Sequence, residues 1–138
     1  MEELVKCAEI TQKILRDSFG NTDPNSLADN IVTLSGWRYR FGEKSADANL
    51  EYERAYSERK NAENSAFLEA KTLGLTNEES RVSAEVSTRE LKEKENMANG
   101  NAMRVKNAWE DIKIAIDTIK YKINAQIKER KETYEEKF

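Results

Sequence analysis

A chain of 138 residues, 36% charged and 38% apolar, has room for one domain but not for several layers around a deep core. A formal net charge of -3, one cysteine and no histidine exclude three things. These are a uniformly basic polyanion binder, an intramolecular disulfide and a di-iron bundle of the Glu-x-x-His type. One Pro, five Gly and a low density of aromatic and β-branched residues point to helices rather than sheets.

A first helix is expected over about 2–18. Leu4, Cys7, Ala8, Thr11, Ile14, Leu15 and Ser18 keep helical spacing on one face, and Glu2 and Glu3 suit the positive end of its dipole. Cys7 lies in this stripe and is read as a small hydrophobe. Gly20 and the run Asn21-Thr22-Asp23-Pro24-Asn25 form a loop, after which Ser26 is expected to cap the next helix. That helix should begin near Leu27 and run to about Leu73. The segment between Gly36 and Gly42 is its expected weak point, because each glycine costs about 1 kcal/mol in a helix interior. Gly74 stops it. Thr76 and Glu79 form a capping box that starts a third helix, expected to run unbroken over about 77–135, with Gly100 a soft spot.

The two long helices carry matching apolar seams. Downstream, Ala98, Ala102, Val105, Trp109, Ile112, Ile116, Ile119 and Ile123 follow an unbroken alternation of four and three residues. Upstream, Leu27, Ile31, Leu34, Phe41, Ala48, Tyr52, Ala55, Ala62 and Ala66 keep the same register, with Arg38, Ser45 and Arg59 in the gaps. Folding back at Gly74 pairs residues whose numbers sum to about 150, so Phe41 faces Trp109, Leu34 faces Ile116 and Leu27 faces Ile123. The fold class is therefore all-α: a long antiparallel, coiled-coil-like helical hairpin with a short N-terminal helix, in one domain spanning 1–138. Its arms cover about 27–73 and 77–135.

Charge is uneven along the chain. Residues 104–131 hold eight Lys/Arg against four Asp/Glu, whereas residues 1–30 hold three against six. Three stretches could serve a polyanion. In Trp37-Arg38-Tyr39-Arg40-Phe41, aromatic and Arg residues interleave, as single strands require: rings stack on bases and guanidinium groups hold phosphates. The structural alternative is an aromatic core cluster with two solvated arginines. Arg54, Arg59 and Lys60 form a second basic group. Arg59 occupies a seam position opposite Leu91, and Glu51, Glu53 and Glu58 lie near enough to neutralise the group. Lys113, Lys120, Lys122, Lys128, Arg130 and Lys131 form the third, which equally suits the negative end of a helix dipole.

A further apolar stripe lies outside the seam. Ile114 and Tyr121 occupy outward f positions and Met103 adds to them. Ile127, Tyr134 and Phe138 continue past the end of the partner helix. Met103, Ile114, Tyr121 and Ile127 are thus the expected interface of a homo-oligomer, the alternative being packing against the first helix.

No P-loop, Gly-rich nucleotide turn, metal-ligand spacing or G-x-S-x-G is present, so a non-enzymatic protein without cofactor or metal is expected. No apolar run is long enough to span a bilayer, and Met1 is followed by Glu2 and Glu3 rather than a secretory leader. An intracellular, cytoplasmic setting with no membrane partner is the expectation.

The layout resembles the UvsY family of recombination mediators of T4-like phages. An aliphatic-polar entry to a Trp (Asn30-Ile31-Val32-Thr33-Leu34-Ser35-Gly36-Trp37) precedes a charged helix with Arg54, Arg59 and Lys60. A second long helix then carries Ala115-Ile116-Asp117-Thr118-Ile119-Lys120. The resemblance implies a ring-like oligomer that binds single-stranded DNA and helps load a recombinase, with Arg59 and Lys60 nearest the family's basic cluster. With the bottom-up reading it gives Arg38, Tyr39, Arg40, Arg59 and Lys60 as candidate nucleic-acid contacts. Two alternatives stand beside it: a phage or mobile-element anti-defence protein that inhibits a host protein by binding it, and a structural helical oligomer.

Overall fold

The structure is a computed structural model describing residues 2–136; Met1, Lys137 and Phe138, the last of the expected overhang, lie outside them. Four helices follow in order: α1 (Glu2–Phe19), α2 (Pro24–Thr72), α3 (Asn77–Ser87) and α4 (Arg89–Glu136). The fold is all-α, and α2 and α4 pack as the arms of a helical hairpin. The chain forms two compact units. Unit 1 comprises residues 1–44 and 105–138, and unit 2 residues 45–104.

Unit 1 holds the large apolar core. α1 contributes Cys7 and Ile14; α2 contributes Leu27, Leu34 and Phe41 at heptad spacing; α4 contributes Val105, Ile112, Ala115, Ile116 and Ile119. Ile31, Trp109 and Ile123 pack against this cluster, in keeping with the shared seam register, and Trp37, which lies beside the seam, packs against it too. Fully burying each Leu, Ile or Phe is worth about 1.5–3 kcal/mol, so these side chains supply most of the unit's driving force. Gly42 has a steric reason: a Cβ there would lie 3.3 Å from Trp109 Nε1. Gly36 has none, with nothing within 4 Å, and both glycines lie inside continuous helix rather than at a break.

The entry to α2 differs from the expected Ser26 cap. Asp23 Oδ1 accepts the Asn25 amide at 3.1 Å and Pro24 takes the first helical position, where its missing N–H costs nothing. Ser26 Oγ instead accepts from Asn21 Nδ2 at 2.7 Å.

Unit 2 is built differently. The chain reverses at Gly74 (φ 87°), with Leu75 N–H donating to Ala70 O and Gly74 N–H to Lys71 O, the paired bonds of a Schellman stop. Thr76 Oγ1 accepts the Glu79 amide at 3.2 Å, the N-cap half of the expected box, while the Glu79 carboxylate accepts from the Thr76 hydroxyl at 2.9 Å rather than from its backbone N–H. The expected single downstream helix is interrupted at Thr88. The carbonyl of Ala84 accepts from the Thr88 backbone N–H, from Thr88 Oγ1 at 2.7 Å and from Ser87 Oγ at 3.1 Å. Hydroxyl back-bonding of this kind bends helices, and Thr88 adopts φ -106°, ψ 13°. The buried positions of the unit are Ala48, Ala55, Ala70, Ala84, Ser80, Thr88, Arg59 and Glu95.

Candidate functional site

In unit 1 the interleaved segment splits by face. Trp37 and Phe41 are neighbours with ring centroids 6.2 Å apart and planes tilted by 35°, and Phe41 is fully buried. The rings are therefore core. The arginines are engaged too. Arg38 lies over the Trp109 ring at 5.4 Å. Arg40 lies over Trp37 at 5.9 Å and, with Lys44, pairs with Glu3 of α1. Hydrogen bonding by Lys44, then the charges of Arg40 and Lys44, hold the Glu3 carboxyl below its usual range. Tyr39 is exposed, and a hydrogen bond to Glu43 pushes its phenol up. Arg38, Tyr39 and Arg40 thus stand in one turn; Arg38 is half-buried, Arg40 is exposed but paired with Glu3, and Tyr39 is exposed beside Glu43.

Arg59 corrects the sequence reading. It is 9% exposed, and Glu95, from α4, is 4% exposed. Its Nε and Nη2 donate to the two Glu95 oxygens and its Nη1 to Glu63 Oε2 at 2.6 Å. The seam partner is therefore Glu95, one turn beyond the expected Leu91, because a long Arg reaches along the groove. A guanidinium sealed between two carboxylates is not offered to a phosphate, so Arg59 leaves the set of candidate nucleic-acid contacts. The Glu95 carboxyl is held low, chiefly by the hydrogen bonds from Arg59, with Lys92 Nζ adding a contact at 3.4 Å. Glu58, expected to neutralise this group, pairs instead with Lys94 at 3.1 Å. Lys60 remains exposed, 5.9 Å from the centre of the Tyr56 ring.

A cleft of about 440 Å³ opens beside the Thr88 break, lined by Arg59, Glu63, Glu85, Val86, Thr88, Arg89 and Lys92. Its three cations face two carboxylates, and Arg59 already has its partners, so the cleft has no strong excess charge. Among the described residues no group of three or more His, Cys, Asp or Glu could hold a metal ion.

The basic run of α4 has a structural share that the sequence did not show. Lys122 donates to the carbonyls of Ser18 and Phe19, Gln126 to Asn21 O at 3.1 Å and Arg130 to Thr22 O at 3.3 Å. These three residues, each one turn from the next, satisfy the orphan carbonyls at the end of α1 and in the following loop. The spacing of four was the available signal.

The expected interface residues Met103, Ile114, Tyr121 and Ile127 are all exposed; Met103 belongs to unit 2 and the others to unit 1. Beside Tyr121 the structure adds a feature the sequence reading missed. An apolar groove of about 250 Å³ runs between the end of α1 and α4, lined by Leu15, Phe19, Thr118, Ile119, Tyr121 and Ala125, with Ser18 and Lys122 at its edge. Phe19, just off the buried stripe of α1, and the small Ala125 beside Tyr121 were its traces in the sequence.

No helix among the described residues is long and apolar enough to cross a membrane. Comparison with protein-family models, with curated proteins and with solved structures finds no match to this chain.

Proposed function

We propose that this chain is a non-enzymatic helical protein that acts by binding protein, first of all further copies of itself. One observation carries the reading: unit 2 is inverted. None of its Leu, Val, Met, Tyr or Phe residues is buried, and eight of them, among them Leu50, Leu68, Val86, Met97 and Met103, are exposed. Its interior is alanine, two hydroxyl residues and an ion pair. Apolar area left in water forfeits about 25 cal/mol per Å², and covering it in an assembly recovers that stabilisation. Sedimentation velocity from about 1 to 50 µM tests this, because association is driven by mass action. A weight-average mass rising above 15.9 kDa supports it, and a monomer at every concentration overturns it.

A single-stranded-DNA-binding mediator that acts on a recombinase is a second reading. It is favoured by the open Tyr39 between Arg38 and Arg40, with Lys60 as a further cation. Fluorescence anisotropy with a labelled single strand at low and moderate salt separates it from the first. Affinity falling with a slope of about -0.7 per neutralised phosphate supports it, and no binding at low salt removes it. Inhibition of a host defence protein belongs with the protein-binding reading; it predicts a stoichiometric complex that survives moderate salt.

A further inference from the structure

We infer that the outer face of α4 in unit 1 pairs antiparallel with the same face of a second copy, each Ile114 entering the apolar groove of the other. The inference rests on the self-association proposed above and gives it one contact, in unit 1, with its partner and polarity; the exposed apolar residues of unit 2 would be covered by a separate contact.

The face is defined by helical geometry. Glu110, Ile114, Thr118, Tyr121, Ala125 and Lys128 fall within about 80° of one another, opposite the buried Ile112, Ile116 and Ile119. Ile114 is 63% exposed and Tyr121 78%; Phe19, across the groove from Tyr121, is 71% exposed. An apolar knob and an apolar hole thus share one surface, and neither is filled within the chain.

Charge fixes the second copy and its direction. Glu110 lies at one end of the face and Lys128 at the other, and neither has an ion pair among the described residues. Read along α4 the face runs acid, Ile, Thr, Tyr, Ala, base, a pattern complementary to its own reverse. An antiparallel pairing centred near Ile119 brings Glu110 to Lys128 of the second copy at both ends. The same register places Ile114 between Tyr121 and Ala125 of the second copy, at the mouth of the groove lined by Leu15 and Phe19. The contact is isologous and closes as a dimer. A parallel pairing would set Glu110 against Glu110 and Lys128 against Lys128, and would leave both knobs outside the grooves.

Charge reversal tests polarity, and Ile114 tests the face. Glu110→Lys and Lys128→Glu, each alone, should raise the dimer dissociation constant roughly tenfold at low salt, and the double reversal should restore it. Ile114→Glu should weaken the dimer about a hundredfold, since it brings a carboxylate to an apolar groove. Circular dichroism should stay native throughout, because all three side chains are exposed. Single reversals without effect, or a double reversal that fails to rescue, would overturn the antiparallel pairing. An assembly indifferent to all of these variants would overturn the α4 face while leaving self-association in place. A native chain that is monomeric would overturn both.

Discussion

Replacing Arg59 with Met should destabilise unit 2 by about 3 kcal/mol, which is large for one seam position. Arg59 and Glu95 are 9% and 4% exposed, and the guanidinium satisfies both Glu95 oxygens and one of Glu63. Its removal leaves the buried Glu95 carboxylate with only the half-exposed Lys92 at 3.4 Å. Breaking a buried pair costs about 3–5 kcal/mol, and Lys92 holds the loss near the lower end. The converse is sharper. Arg59→Leu with Glu95→Leu removes both desolvated charges and puts apolar side chains at two buried positions, so the double variant should match or exceed the native stability, by up to about 4 kcal/mol. Urea unfolding followed by circular dichroism at one fixed protein concentration gives both differences and, through the cycle, their coupling. A loss below about 1 kcal/mol for Arg59→Met would refute the reasoning, because that is the value of a solvated surface pair.

The Glu95 carboxyl, held below the ordinary glutamate range by Arg59, makes stability pH-dependent in a defined direction. The contribution is fully present above the unfolded glutamate value of about 4.3 and is lost as pH falls through the lower native value. An acid titration should therefore show a falling limb below about pH 4 that Arg59→Met flattens; an unchanged limb would refute this. Gly36→Ala should stabilise the fold by about 1 kcal/mol, because the site is open helix; Gly42→Ala should gain less or lose, because Trp109 must yield. Thermal unfolding of the two variants decides, and equal shifts would contradict the Trp109 contact. Lys122→Met removes the donor to Ser18 and Phe19 carbonyls, so it should cost about 1 kcal/mol and speed amide exchange at the end of α1.

The hairpin was legible because its signal is redundant. Leu27, Leu34 and Phe41 on one arm and Ile112, Ile116 and Ile119 on the other repeat one register, and all six are buried together. Capping was legible where one motif dominates, as at Thr76 and Glu79. It misled at Ser26, where Asp23 and Pro24 supply a better start one turn earlier. The Thr88 break was hidden because hydroxyl back-bonding to Ala84 leaves the hydrophobic period intact. The candidate site was the least legible part. Which arginine is free depends on where carboxylates from other helices arrive, and neither Glu3 beside Arg40 nor Glu95 beside Arg59 is near in sequence. In the same way, a seam of alanines satisfies the heptad as well as leucines do, so periodicity did not reveal that unit 2 fully buries none of its large apolar residues and exposes most of them.

That inversion is most directly tested by hydroxyl-radical footprinting of the native chain at low and high concentration, read by mass spectrometry at single residues. Met97 and Met103 report from unit 2, and both are exposed within one chain. If unit 2 is covered by assembly, their oxidation should fall several-fold as concentration rises from about 1 to 100 µM, while buried Phe41 stays protected throughout. Oxidation of both methionines that stays high and equal across that range would contradict the account.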